Sequence, residues 1–203
     1  ALLVATGALT RAGRVEDGTT CLDSEAVEVR QQRSVSLGVA TVEHAGHRLT
    51  LLDTPGSPDF VGELRAGLRA ADAALFVVSA VNGVDAATVQ LWEECAAVGM
   101  PRAVVITQLD KARADVDDTV RMCQTALGEG VHPLHLVQRG ADGAVTGLVS
   151  LLEPHVEVPE ADRLRGELIE GIIAESEDET LMDRYLAGEE LVVADLIAKG
   201  VKL

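Results

Sequence analysis

The sequence predicts an α/β fold, a mostly parallel sheet flanked by helices. Three observations lead there. Short apolar runs bounded by turn residues recur along the chain at 49–52, 73–81, 102–108 and 132–137, and each reads as a strand. Between them, apolar residues repeat at helical spacing: Val89, Trp92 and Ala96, then Val116, Val120, Cys123 and Leu127. Hydrophobic residues make up 47% of the chain but aromatics only 2%, so the core must be built of Ala, Val, Leu and Ile. That composition suits parallel strands buried under helices. At 203 residues the chain can bury one good core plus a subdomain.

Each element has a local reason. Residues 1–6 read as the last turn or two of a helix stopped near Gly7, too short to stand alone. Residues 13–36 are rich in Gly, Thr, Asp, Ser and Glu and read as a loop. Residues 37–44 and 47–52, joined by Ala45-Gly46, form a β-hairpin, with His44 and His47 at its surface. A short helix over 63–71 places Leu64 and Leu68 one turn apart. Residues 73–81 are a central strand, and Asp85 caps the helix that follows, with Trp92 a core residue. After the strand at 102–108 comes an amphipathic helix over 115–127. His132 and His135 are three apart on a predicted strand, which points them to opposite faces and argues against a metal pair. Leu164, Leu168 and Ile172, with Ile169 and Ile173 beside them, form another helix. Ser176-Glu177-Asp178-Glu179 is a capping box that opens a helix over 180–186, stopped by Gly188, and 191–199 is the last helix.

Charge and cysteine usage exclude several functions. A net charge of −16 leaves no basic stripe for non-specific binding to nucleic acid, and sequence-specific DNA recognition has no support either. No apolar run approaches membrane-spanning length, and no signal-peptide pattern is present. Three cysteines, Cys21, Cys95 and Cys123, lack C-x-x-C spacing and read as reduced thiols of a cytoplasmic protein.

The run at 49–52 ends abruptly in Asp53-Thr54-Pro55-Gly56. In an α/β sheet the ligand crevice lies at the carboxyl ends of the strands, so Asp53 would stand there. Pro55 fixes its own φ and Gly56 allows an unusual one, which would let the Gly56 amide face an anion. A carboxylate for hydrated Mg²⁺ followed by an amide for a terminal phosphate is what phosphoryl transfer requires. The alternative is an ordinary Asp-Pro-Gly turn. A second strand, 102–108, terminates in Leu109-Asp110-Lys111.

Asp53-Thr54-Pro55-Gly56 with Asp59-Phe60, followed by a strand ending in Asp110-Lys111, resembles the third and fourth motifs of translational GTPases, elongation factor G and its paralogues above all. The similarity continues through Gly7-Ala8-Leu9-Thr10-Arg11-Ala12-Gly13, Gln32-Arg33-Ser34-Val35-Ser36 and Tyr185-Leu186-Ala187-Gly188-Glu189-Glu190, in order along the chain. The resemblance implies a P-loop-GTPase-like sheet in a GTPase core, 1–133, and an inserted α+β subdomain of the elongation factor G type, 134–203. It implies GTP or GDP as ligand, Mg²⁺ as cofactor, and switch segments ordered by GTP. The implied partners are the ribosome's stalk protein and its large-subunit GTPase centre, with the factor a monomer. A ribosome-binding paralogue that does not hydrolyse GTP is the alternative. A dehydrogenase-type domain lacks a Gly-x-Gly-x-x-Gly run.

Residue by residue, the resemblance places Ser36 where a Thr closes on Mg²⁺ and the terminal phosphate. Ser keeps the hydroxyl but loses the β-branch, and is expected to be held less rigidly. Arg33 matches the family, whereas Gln32 replaces a Glu and Ser34 a Gly. Asp53 and Gly56 fall at the metal and terminal phosphate, and Lys111 follows the base-reading aspartate. Guanine presents two adjacent donors that one carboxylate can accept, so Asp110 is expected to read the base. Thr107 and Gln108 replace the family's Asn-Lys. Ser57 stands where a catalytic His orients the attacking water, and Pro58 pushes it toward extended backbone. Hydrolysis is expected to be slow. No G-x-x-x-x-G-K-S/T run occurs in residues 1–203, and the family's final Ser-Ala loop is also missing. The stretch 153–160 is short against the family and Glu190-Leu191-Val192 is contracted, as though residues were lost. An acidic face at Glu167, Glu170, Glu175, Glu177 and Asp178 is expected to dock a basic protein.

Overall fold

A computed structural model describes residues 2–153, 158–176, 179–189, 191–193 and 196. The chain divides into two compact units, 1–74 and 75–203. The expected boundary at 133/134 lies inside the second. The α/β class read from the sequence is the class observed, in helices and small sheets.

In the first unit, helix α1 (Leu2–Ala5) ends at Thr6, whose hydroxyl donates back to the Leu2 carbonyl, and at Gly7 with φ 76°. The stretch expected to be loop contains a short helix, α2 (Ala26–Gln31). It forms because Glu28 reaches back to accept the Glu25 N–H at 3.0 Å, satisfying a donor the helix start leaves free. Gln32, left-handed at φ 53°, ends it.

Strands β1 (Gly38–His44) and β2 (His47–Asp53) pair antiparallel, from Gly38 opposite Asp53 to His44 opposite His47. Ala45 and Gly46 both have positive φ, 49° and 78°, as a two-residue hairpin turn of this twist demands. A single 3₁₀ turn (Pro58–Phe60) leads into α3 (Val61–Leu68), which starts earlier and stops sooner than the sequence suggests. Gly67 of α3 lets Thr54 approach: an added Cβ would stand 3.1 Å from the Thr54 methyl. Val42 and Leu64 are buried.

In the second unit, β3 (Ala74–Ser79) begins at the boundary and runs into α4 (Ala86–Ala97) and β4 (Arg102–Thr107). Asp85 caps α4 as expected, accepting from the Thr88 amide at 2.7 Å and its hydroxyl at 2.8 Å. The Ala80 N–H donates to the Thr107 carbonyl at 2.9 Å, so the carboxyl ends of the two strands meet and the strands run parallel. Phe76 meets Trp92 edge-on at 5.0 Å, and the Arg102 guanidinium lies 4.5 Å over the Trp92 ring, confirming a packing role for Trp92.

Helix α5 (Val116–Leu127) is capped by Asp115. Cys95 and Cys123 are buried, and burial pushes both thiols above their ordinary range. Leu75, Val77 and Val105 are exposed while Val78 is buried.

Further along, the single strand expected at 132–137 is a hairpin, β5 (His135–Arg139) with β6 (Val145–Ser150), pairing antiparallel with a bulge at Gln138/Arg139. The turn is closed by Gly140 N–H to the Ala144 carbonyl and by Gly143 at φ 79°. Helices α6 (Pro159–Glu175) and α7 (Glu179–Leu186) follow, and Gly188 at φ 77° comes after α7. Leu151, Leu168, Ile169, Ile172, Ile173 and Leu181 form a buried cluster over this hairpin, with Leu134, Leu136 and Tyr185 packed on it. The expected apolar stripe of α6 is thus its core face. The predicted capping box at Ser176 to Glu179, the last helix at 191–199 and the short stretch at 153–160 lie wholly or partly outside the described residues. Among the described residues, no helix is long and apolar enough to cross a membrane.

Candidate functional site

The residues expected to serve phosphate and metal belong to the first unit. Asp53 closes β2, so the hairpin register delivers its carboxylate to the strand end. Desolvation, and after it the charge of Asp23, pushes its carboxyl above the ordinary range. A bound cation would relieve both effects. Asp23 accepts the Ser34 hydroxyl at 2.6 Å.

Pro55 is buried and Gly56 exposed. The expectation of an unusual φ at Gly56 is corrected: it is not among the residues of positive φ, and an added Cβ would meet nothing within 4 Å. Ser57 precedes the 3₁₀ turn at φ −83° and ψ 134°, the extended conformation that Pro58 imposes. Its hydroxyl donates to Asp59 Oδ2 at 3.3 Å. Arg33 Nη1 lies 3.8 Å from the same oxygen, and its guanidinium 5.3 Å over the Phe60 ring. Both partners are solvated, so the pair adds little stability.

Ser36 is bonded to a single side chain, Glu28. Its amide and hydroxyl both donate to Glu28 Oε1, at 3.2 and 3.0 Å, and the Val35 amide joins them at 3.1 Å. Glu28 is 1% exposed. Its carboxyl is pulled from 4.5 to about 2, by the Val35 amide first and the Glu25 amide second. Sequence reasoning missed this residue. Its one signal was the spacing to Glu25, at which a side chain reaches back to a helix start.

The base-reading candidates belong to the second unit. The Thr107 hydroxyl donates to the Val78 carbonyl at 3.3 Å, which ties β4 to β3 and spends that donor. Gln108 turns the chain with φ 61°, a conformation uncommon for a side-chain-bearing residue. Its Oε1 accepts the Ser79 hydroxyl at 2.9 Å, and the Ser79 Oγ accepts the amides of Val81 and Asn82. The corner is therefore braced from β3. The Lys111 amide donates to the Gln108 carbonyl at 3.1 Å, and Lys111 Nζ lies 3.4 Å from Asp110 Oδ2. Asp110 is 76% exposed at its side chain, with lone pairs open to a ligand.

Ser36 and Asp53 offer hard oxygen donors, the chemistry that Mg²⁺ accepts. Among the described residues there is no group of three or more His, Cys, Asp or Glu that could cage a metal. Mg²⁺ fits such a sparse set, because it keeps several waters and takes other ligands from substrate phosphates. Glu170 and Glu167 of the predicted acidic face are engaged by Tyr185 and Arg163, while Glu177 and Asp178 lie outside the described residues.

Comparison with known proteins bears on this arrangement. Residues 1–195 match the family described as the elongation factor Tu GTP binding domain. Elongation factor G-like proteins of two Mycobacterium tuberculosis strains are each 50% identical over 209 residues, covering 97% of this chain and 29% of theirs. A crystal structure of a Thermus thermophilus protein superposes with a TM-score of 0.85 at 37% identity, covering 98% of this chain and 32% of that one. The chain thus spans roughly three-tenths of the length of these relatives.

Proposed function

The chain belongs to the elongation factor Tu GTP-binding domain family, and from that premise we propose that it is the nucleotide-binding part of a ribosome-associated, cytoplasmic translation factor of the elongation factor G type. Asp110 reads guanine by accepting its two adjacent donors, with Thr107, Gln108 and Lys111 shaping the corner that carries it. Asp53 and Ser36 serve Mg²⁺, and the Gly56 amide faces the terminal phosphate. When bound, the cation neutralises charge on the phosphates. GTP orders the switch segments around Ser36 and Ser57, and the ribosome reads that state through its stalk protein and large-subunit GTPase centre. Residues 1–133 act as the GTPase core. Residues 134–203 act as an inserted subdomain, a division favoured by the separate apolar cluster of Leu151 and Leu168. The factor works as a monomer.

Hydrolysis is slow. The observation that carries this is Ser57, set in extended backbone by Pro58 with its hydroxyl turned to Asp59. A hydroxymethyl is too short to reach the water that an imidazole at this position would hold, and it lacks a second, charge-bearing nitrogen. A positioned acid–base group is worth about 10²–10⁴ in rate. Single-turnover GTP hydrolysis with ribosomes tests this on the full-length protein against its Ser57→His, Pro58→Ala variant. The expected result is slow turnover that rises by about 10² or more in the variant. Fast hydrolysis by the unaltered protein would contradict it.

A further inference from the structure

Resting on the guanine-binding reading above, we propose that Ser79, at the carboxyl end of β3, is a positioning residue for base recognition: its hydroxyl fixes Gln108, and through Gln108 the direction in which the Asp110 carboxylate meets the base. The Ser79 hydroxyl is saturated. A serine oxygen has one hydrogen to give and two lone pairs to receive with. At Ser79 the lone pairs take the amides of Val81 at 3.1 Å and Asn82 at 3.3 Å, and the hydrogen goes to Gln108 Oε1 at 2.9 Å. With both lone pairs filled, the Gln108 atom that meets the hydroxyl must be an acceptor, the side-chain oxygen, which sets that amide one way round.

Gln108 needs such a hold. Its φ of 61° is left-handed, a conformation that costs a side-chain-bearing residue free energy and persists only where neighbours over-determine it. β3 supplies those neighbours residue by residue. The Val78 carbonyl accepts the Thr107 hydroxyl at 3.3 Å, Ser79 bonds the Gln108 side chain, and the Ala80 amide donates to the Thr107 carbonyl at 2.9 Å. The Ala80 carbonyl also accepts the Asp115 amide, at the start of α5, at 3.1 Å. Residues 78–80 thus hold the segment 107–115 at both ends, with Asp110 between them. Inside it the Lys111 amide closes a turn on the Gln108 carbonyl at 3.1 Å, so the conformation of Gln108 decides where Asp110 stands. Asp110 has no comparable brace of its own: Lys111 Nζ lies 3.4 Å away with both side chains exposed, and such a pair fixes little. Its aim is inherited from the turn. Accepting two guanine donors on one carboxylate is a two-point contact, and hydrogen bonds weaken steeply as their angle departs from linear. A loosened turn would therefore lose the second contact first. Hypoxanthine, which lacks guanine's 2-amino group, offers the carboxylate one donor and reports whether both are made.

Competition between GTP and inosine triphosphate for the full-length protein, with Mg²⁺ present, tests the proposal. The native protein should bind GTP about 10-fold or more tighter than inosine triphosphate. In Ser79→Ala, GTP should weaken by about 5–10-fold and inosine triphosphate by no more than about twofold, so the preference shrinks. Ser79→Thr keeps the hydroxyl and should keep the native preference. Adding Ser79→Ala to Gln108→Leu should shrink the preference no further than Gln108→Leu alone, because the bond they share is already gone. A Ser79 that merely supports the fold would weaken both nucleotides alike, and an undiminished preference in Ser79→Ala would overturn the proposal. Should Ser79→Ala fail to fold, Gln108→Leu, at an exposed residue, decides it: the preference falls if the proposal holds, and an unchanged one overturns it. A native protein that binds no guanine nucleotide, or takes ATP as readily as GTP, would refute the function proposed above and this inference with it. A native preference for GTP over ATP, with GTP still favoured over inosine triphosphate to the native degree in Ser79→Ala, would overturn this inference alone.

Discussion

The segments at 33–37 and 107–111 serve the same proposed ligand, yet their polar groups are treated in opposite ways. Around Ser36, amides and hydroxyl are consumed by Glu28, a carboxylate only 1% exposed. Around Asp110, the bracing is made by Gln108, Ser79 and Thr107, and the Asp110 carboxylate is left in water beside Lys111. The difference teaches where each part spends its hydrogen bonds. A group that recognises an outside molecule must keep its lone pairs free, so rigidity comes from the residues before it. A group that must hold one rotamer gains by being bonded itself, provided the atom offered to the ligand has a lone pair left.

Substitutions at the two segments should therefore fail differently. The largest effect is expected from Asp110→Ala, which removes both acceptors from the base: guanine nucleotide should bind about 10²-fold more weakly, with thermal stability unchanged because the side chain is exposed. Loss of stability there would break the contrast. Glu28→Gln should do the reverse and lower the melting temperature at neutral pH. The sign with pH follows from its depressed carboxyl, at about 2 against an ordinary 4.5. The stability that ionised Glu28 lends is fully present above about pH 4.5 and is lost as pH falls toward about 2. The gap in melting temperature between the native protein and Glu28→Gln should accordingly narrow across that window, and a constant gap would point to packing instead. The smallest effect is expected for Lys111→Ala: its ion pair is exposed on both sides, and such pairs contribute ~0–1 kcal/mol. Chemical denaturation should place the variant within about 0.5 kcal/mol of the native protein.

Much of this contrast could be read in the sequence, and the rest is hidden for physical reasons. Asp110 was legible because an apolar strand ending in an acid is a local pattern, and the β1–β2 hairpin because Ala45-Gly46 suits a tight turn. Glu28 was not: its decisive partners, Val35 and Ser36, lie seven and eight residues away in a polar stretch without periodicity. The β6 strand was missed because Gly147 interrupts its apolar pattern, and glycine weakens a strand signal. At Gly56 the residue type allows an unusual φ, whereas Gly56 is not among the residues of positive φ.

Nucleotide selectivity is the most direct test of what Asp110 and its corner are for. Displacement of a fluorescent guanine nucleotide from the full-length protein, with Mg²⁺ present, should be achieved by GTP and GDP and not by ATP at matched concentration, and Asp110→Ala should abolish the preference. Equal displacement by ATP, or a preference that survives Asp110→Ala, would contradict the assignment of guanine recognition to this carboxylate.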